Sequence, residues 1–185
     1  MDEVLYKSAS ELSRLIHARS LSPVELVQAC LRKIEEVNPS INAFVSLQSE
    51  RALEEAKAIA DRLAHGEDPG PFAGIPIGAK DLEDVKGMPT TYGSVPFRDN
   101  IAQQDSIQVA RLKRAGAILL GKTNTPEFGF TGFTKNRLGF CSSRGIRHGS
   151  IGHGIRCRWV NSHPCMLLGV FRHQAHLWQD TPWSF

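Results

Sequence analysis

In "GIPIGAKDLEDVKGMPTTYGS", residues 74–94, a single lysine closes a short apolar run and is followed at once by an aspartate. An amine at the end of a buried strand loses solvation, which disfavours its charged form. That suits Lys80 to act as a general base or as a Schiff-base nucleophile. The competing reading pairs Lys80 with Asp81 or Glu83 at the surface, because lysine is rarely buried whole. Further along, Ser142 and Ser143 are the only adjacent serines in the chain. Cys141 precedes them and Arg144 follows, so no adjacent glycine supports a tight turn, and they read as linker. A third candidate is a metal site from Cys141, Cys157 and Cys165 with nearby histidines. It lacks any C-x-x-C pair, and only His173 and His176 have ligand-like spacing, so no metal is expected.

The elements that must position Lys80 are readable around it. Ser8 and Glu11 stand at capping-box spacing before Leu12, Leu15 and Ile16. Ser22, Pro23 and Glu25 repeat that start signal for a longer helix with a face of Leu26, Val27, Cys30, Leu31, Ile34 and Val37. Asn38-Pro39 is expected to end it, and Cys30 to be a core thiol. "INAFVSL" reads as a strand and "SERALEEAKAIADRLAHG" as a third helix closed by Gly66. "IPIGAK" is a short strand. "DSIQVARLKRAGAILLGKTN" gives a capped helix, a glycine turn and an unalternating apolar strand, the mark of a strand buried on both faces. "TNTPEFGF" is expected to start another helix, with Thr125 as N-cap and Pro126 in its first turn. Helices alternating with short buried strands predict an α/β fold, with helices layered around a sheet.

Three stretches carry a resemblance: "GIPIGAKDLEDVKGMPTTYGS", "DSIQVARLKRAGAILLGKTNTPEFGF" and "TGFTKN". Together they resemble the amidase signature family of amide hydrolases, and "SPVELVQACLRKIEEVNPSINAF" is similar to that family's N-terminal helices. The resemblance covers residues 1–138 and implies helices layered around a mixed sheet. It implies hydrolysis of a carbon–nitrogen amide bond in a small-molecule substrate, through a serine acyl-enzyme. It also implies a triad of serine, a second serine on a cis peptide bond, and lysine. Lys80 matches the lysine, which takes a proton from the bridging serine. Asp81 and Thr91 would support it by hydrogen bonding. No metal or organic cofactor is implied. Two other readings remain: a lyase with Lys80 as Schiff-base lysine, and a non-catalytic interaction fragment.

Residues 139–185 break with this pattern. They hold all three Trp, three of four Cys and five of seven His, but no Lys or Glu. Their five Arg against one Asp account for the whole net charge of +3, since 1–138 holds 17 basic and 18 acidic residues. No aromatic–basic motif surrounds those arginines, so no nucleic-acid partner is expected. Reading the codons of 155–164 one nucleotide later permits Ser-Asp-Ala-Gly-Gly-Ser-Ile-Arg-Ile-Pro. The same shift over 171–179 permits Ser-Gly-Ile-Lys-Pro-Thr-Phe-Gly-Arg. Both resemble the family's glycine-rich segments, so the tail reads as out-of-frame translation with the nucleophile loop missing, and the chain as a truncated, inactive amidase. No domain is recognisable there. The chain has no apolar run of the ~18 residues a membrane span needs, and its first residues are polar and acidic, so a cytoplasmic protein is expected.

Overall fold

The computed structural model describes residues 2–131, 134 and 136–138. Among these residues four α-helices surround a three-stranded sheet: α1 Ala9–His17, α2 Pro23–Ile41, β1 Phe44–Leu47, α3 Ser49–Ala64, β2 Pro76–Lys80, α4 Ile107–Arg114 and β3 Ile118–Thr123. The sheet order is β1-β3-β2, with β3 antiparallel to β1 and parallel to β2. The fold is α/β, as the alternation of elements predicts, and the sheet is mixed, as the resemblance implies.

Local chemistry starts these elements where the sequence indicates. Ser8 accepts from the Glu11 amide at the start of α1. Ser22 and Glu25 form a full capping box on α2, with Pro23 in the first turn. Ser106 accepts from the Val109 amide at the start of α4. Side-chain oxygens thereby satisfy amides that the helices leave without partners.

β3 explains the two-layered core. Ile118 and Leu120 pack with Leu12, Ile16, Leu26, Val27, Ala52 and Ala56 of α1, α2 and α3. Leu119, between them, packs with Ile77, Ala79, Val85 and Val109 on the opposite face. A strand buried on both faces has no solvent side on which to place polar residues, so it does not alternate.

Three local expectations need correction. α2 does not stop at Asn38-Pro39 but carries Pro39 within its last turn. Proline removes a single donor there, and the Asn38 side chain pins the segment to β1 by donating to the Phe44 carbonyl and accepting from its amide. Asn42 then ends the helix in a left-handed conformation. "TNTPEFGF" forms only a 3-10 turn, Glu127–Gly129. Pro126 is extended (ψ 155°), and Phe128 is left-handed with its ring against Tyr92, so no helix can propagate. Cys30 is half-buried and packs against the core edge rather than within it. Burial still pushes its thiol up to about 11, which keeps it protonated at neutral pH.

Candidate active site

Lys80 is the last residue of β2, and its backbone is held on both sides. The Asp81 amide donates to the Thr123 carbonyl, the Tyr92 amide to the Asp81 carbonyl, and the Glu83 amide to the Lys80 carbonyl. The side chain is half-buried. Among the described residues its Nζ has neither a hydrogen bond nor an ion pair. The surface pairing weighed for it is therefore absent: Asp81 is occupied elsewhere, and the Glu83 carboxylate accepts from Ser106 Oγ at 2.8 Å.

The wholly buried lysine is a different one. Lys122, on β3, is 0% exposed. Its Nζ donates to the Glu83 carbonyl at 2.7 Å, the Pro89 carbonyl at 3.1 Å and Thr90 Oγ1 at 2.9 Å. Asp81 Oδ1 lies 3.4 Å away, and Asp81 is itself 2% exposed. Burial lowers the pKa of Lys122, against the opposing pull of Asp81 first and of Asp84 and Glu83 after it. Three acceptors match the three N–H bonds of an ammonium, and the carboxylate supplies the counter-charge. Loop 81–91 is thus wrapped around one buried cation.

Asp81 and Thr91 are hydrogen-bonded to each other, and among the described residues neither side chain bonds Lys80. Asp81 Oδ1 accepts from the Thr91 amide at 3.0 Å, and Oδ2 accepts a short bond from Thr91 Oγ1. Thr91 Oγ1 in turn accepts from the Gly93 amide. Tyr92 and Gly93 both have left-handed backbone, which folds the chain back over the end of β2. A Cβ on Gly93 would meet the Thr125 carbonyl oxygen at 2.9 Å, so the close approach requires glycine.

The three resembling stretches meet at this place. Asp81 of the first pairs with Lys122 of the second. Tyr92 of the first stacks on Phe128 of the second, and Phe97 packs edge-on to both rings. Asn136 of the third donates to Asn124 Oδ1 and to the Thr125 carbonyl, both at 2.9 Å. Val45, Ser46, Asp81, Pro89, Thr91, Arg98 and Leu138 line a cleft of about 200 Å³ beside the carboxylate. Ser142, Ser143, the tail cysteines and histidines, and the out-of-frame segment from 139 onward all lie outside the described residues. Among the described residues no three His, Cys, Asp or Glu side chains cluster as a metal site, and no helix is long and apolar enough to cross a membrane.

Local sequence pattern gives Lys122 no chemical role, yet it does mark the residue as buried. The signal was available: a strand apolar at every position from 117 to 120 runs straight into Gly121 and Lys122, so the burial continues into the lysine. A lysine in that register needs a counter-charge and acceptors, and "DLEDVKGMPTT" supplies them.

Comparison with known proteins places these features in context. The amidase family model matches residues 25–142. The chain is 43% identical over 131 residues to an acylamidase of Rhodococcus erythropolis, covering 71% of this chain and 28% of that protein. It is 40% identical over 134 residues to a glutamyl-tRNA(Gln) amidotransferase subunit of Carboxydothermus hydrogenoformans, covering 72% and 28%. Among solved structures, a bacterial aryl acylamidase of the amidase signature family superposes with a TM-score of 0.65 at 34% identity, covering 70% of this chain and 27% of that one. A fatty acid amide hydrolase superposes with a TM-score of 0.69 at 26% identity, covering 73% and 24%. The chain therefore spans about a quarter of the length of the relatives it matches.

Proposed function

The chain belongs to the amidase family, whose members hydrolyse amide bonds, and from that premise we propose that Lys80 is the proton acceptor of a serine–serine–lysine amide-hydrolysing site. The observation that carries this reading is the contrast between the two lysines. Lys122 is consumed by four oxygens, whereas the Lys80 amine, on a backbone fixed from both sides, has no partner among the described residues. A base must have its lone pair available to an incoming proton, and its position held before the substrate arrives.

The chemistry then runs as follows. A bridging serine gives its hydroxyl proton to Lys80 Nζ and takes the proton of the nucleophilic serine. The nucleophile's oxygen bonds to the amide carbon, the carbon–nitrogen bond breaks, and the leaving amine takes a proton back through the same relay. Water then attacks the acyl-enzyme ester and releases the carboxylic acid. Family resemblance supports this route, with a small-molecule amide as substrate. A chimera tests the role of Lys80: residues 1–138 of this chain replace the aligned segment of the Rhodococcus acylamidase. Lys80→Ala in that chimera is expected to lower kcat by roughly 10²–10⁴-fold, the usual contribution of a positioned general base. A chimera that hydrolyses amides equally well without Lys80 removes it from the mechanism.

The 185 residues alone contain no serine pair flanked by glycines, so on this reading they do not turn over amides by themselves. Assays with simple aryl and aliphatic amides check that, and turnover abolished by Lys80→Ala would refute it. Two long frame-shifted matches in family order support residues 139–185 as an out-of-frame continuation. The coding DNA across codons 135–185 is expected to carry both glycine motifs in the next frame. A sequence that encodes neither removes this account of the tail.

A further inference from the structure

Asp81 is covalently next to Lys80, yet it does not hold the Lys80 amine. Register and the Lys122 ammonium together give the reason. In the parallel pair, Ala79 lies opposite Lys122 and Lys80 opposite Thr123. Side chains alternate along a strand, so Lys122 shares a face with Ala79, and Lys80 belongs to the other face. The carboxylate of Asp81, just past the strand end, is turned to the Lys122 side. Thr91 holds it there through both its amide and its hydroxyl. The remaining demand of a buried carboxylate is a cation, and Lys122 meets it at 3.4 Å.

We infer that Lys122 is a positioning residue that keeps the Lys80 amine free, by occupying Asp81 and closing loop 81–91 around its own ammonium. The inference rests on the reading of Lys80 as the proton acceptor. A base beside an uncompensated carboxylate would be held as its ion pair, because a nearby negative charge favours the ammonium. Lys122 removes that competitor without touching Lys80. Its three other bonds, to Glu83, Pro89 and Thr90, fix the loop that starts immediately after the base. The titratable and charged groups facing this cluster include Asp81, Glu83, Asp84 and Tyr92 from the loop and its end, and Arg98, which lines the cleft beside Asp81; Ser106 of the α4 cap covers the Glu83 carboxylate.

The test is amine labelling of Lys80, measured by peptide mapping of the folded chain at neutral pH, which needs no turnover. It can therefore fail while Lys80-dependent hydrolysis in the chimera stands, and the reverse also holds. In Lys122→Gln, which keeps an amide donor but removes the charge, labelling of Lys80 is expected to slow by about tenfold as Asp81 captures the amine. Adding Asp81→Asn to that variant is expected to restore the original rate. A purely structural role for Lys122 predicts unchanged or faster labelling in Lys122→Gln and no restoration by the second change; either result overturns the inference. Should Lys122→Gln not fold, Asp81→Asn alone decides. An unchanged Lys80 rate supports the inference, and a faster rate shows that Asp81 already holds Lys80 with Lys122 in place, which overturns it.

Discussion

Lys122→Met is expected to destabilise the chain by about 3–5 kcal/mol, read as a fall in the urea midpoint at constant m-value. The substitution conserves much of the apolar stem, so lost packing is the smaller part. The cost comes from what stays behind: the Asp81 carboxylate, 2% exposed, loses its close cation, and the Glu83 and Pro89 carbonyls lose a donor. A domain of this size has roughly 5–15 kcal/mol in all, so the variant should be largely unfolded at modest urea. Lys122→Met with Asp81→Asn should recover most of the loss. At 3.4 Å the attraction between the two charges is roughly 5 kcal/mol at an effective dielectric constant of about 20. Desolvation costs several kcal/mol per ion, so the pair's net contribution is near zero while half a pair is strongly unfavourable. A double variant as unstable as the single one would show that the carbonyls, not the charge, dominate.

The lowered pKa of Lys122 gives this argument a sign in pH. Burial is the first cause, and the ordinary value is 10.5. Between the lowered folded value and 10.5 the unfolded chain holds a proton that the folded chain has released, so stability from this group rises with pH across that window. Lys122→Met abolishes the rise. An unfolding free energy for the parent that falls through the same window, relative to the variant, would mean that the ion pair outweighs burial.

The parts of the fold that were legible in the sequence are those set by neighbours in sequence. Ser22 and Glu25 cap α2 through bonds three residues apart, and the run from Ala117 to Leu120 announces a strand buried on both faces. Lys80 was legible as a strand end for the same reason. The role of Lys122 is not legible in this way, because its partners are 32 to 41 residues away, in a loop whose path only the tertiary structure reveals. The failed helix after Pro126 has the same origin. Local caps favour helix there, and the contact between Phe128 and Tyr92, 36 positions apart, prevails over them. The apolar rings of Phe128 and Phe130, 58% and 90% exposed, have no periodicity that would mark them beforehand.

Gly121→Ala should destabilise the chain by about 3 kcal/mol or more, although the same change in an ordinary strand gains about 0.5–1 kcal/mol. Gly121 does not have a left-handed backbone, so its requirement is space rather than conformation. A Cβ there would lie 2.1 Å from the Ser46 carbonyl oxygen and 2.9 Å from Leu47 Cα, both backbone atoms of β1. Flexible side chains can yield at such distances; a paired strand cannot without leaving its register. β1 meets β3 at Ser46 opposite Lys122 and Leu47 opposite Gly121, after an irregularity between Phe44 and Ser46. The added methyl therefore strikes the pair beside the buried lysine and pushes β1 off the sheet edge, together with Ser46 and Val45 of the cleft. Gly87→Ala is the matched control, since nothing lies within 4 Å of its Cβ position and its φ of +81° leaves only backbone strain. That strain is worth roughly 1–2 kcal/mol. The steric account requires Gly121→Ala to cost distinctly more than Gly87→Ala in the same urea experiment, and to broaden or shift the amide resonances of β1. Equal costs, with β1 undisturbed, would mean that β1 is held against β3 loosely enough to make room for a methyl group.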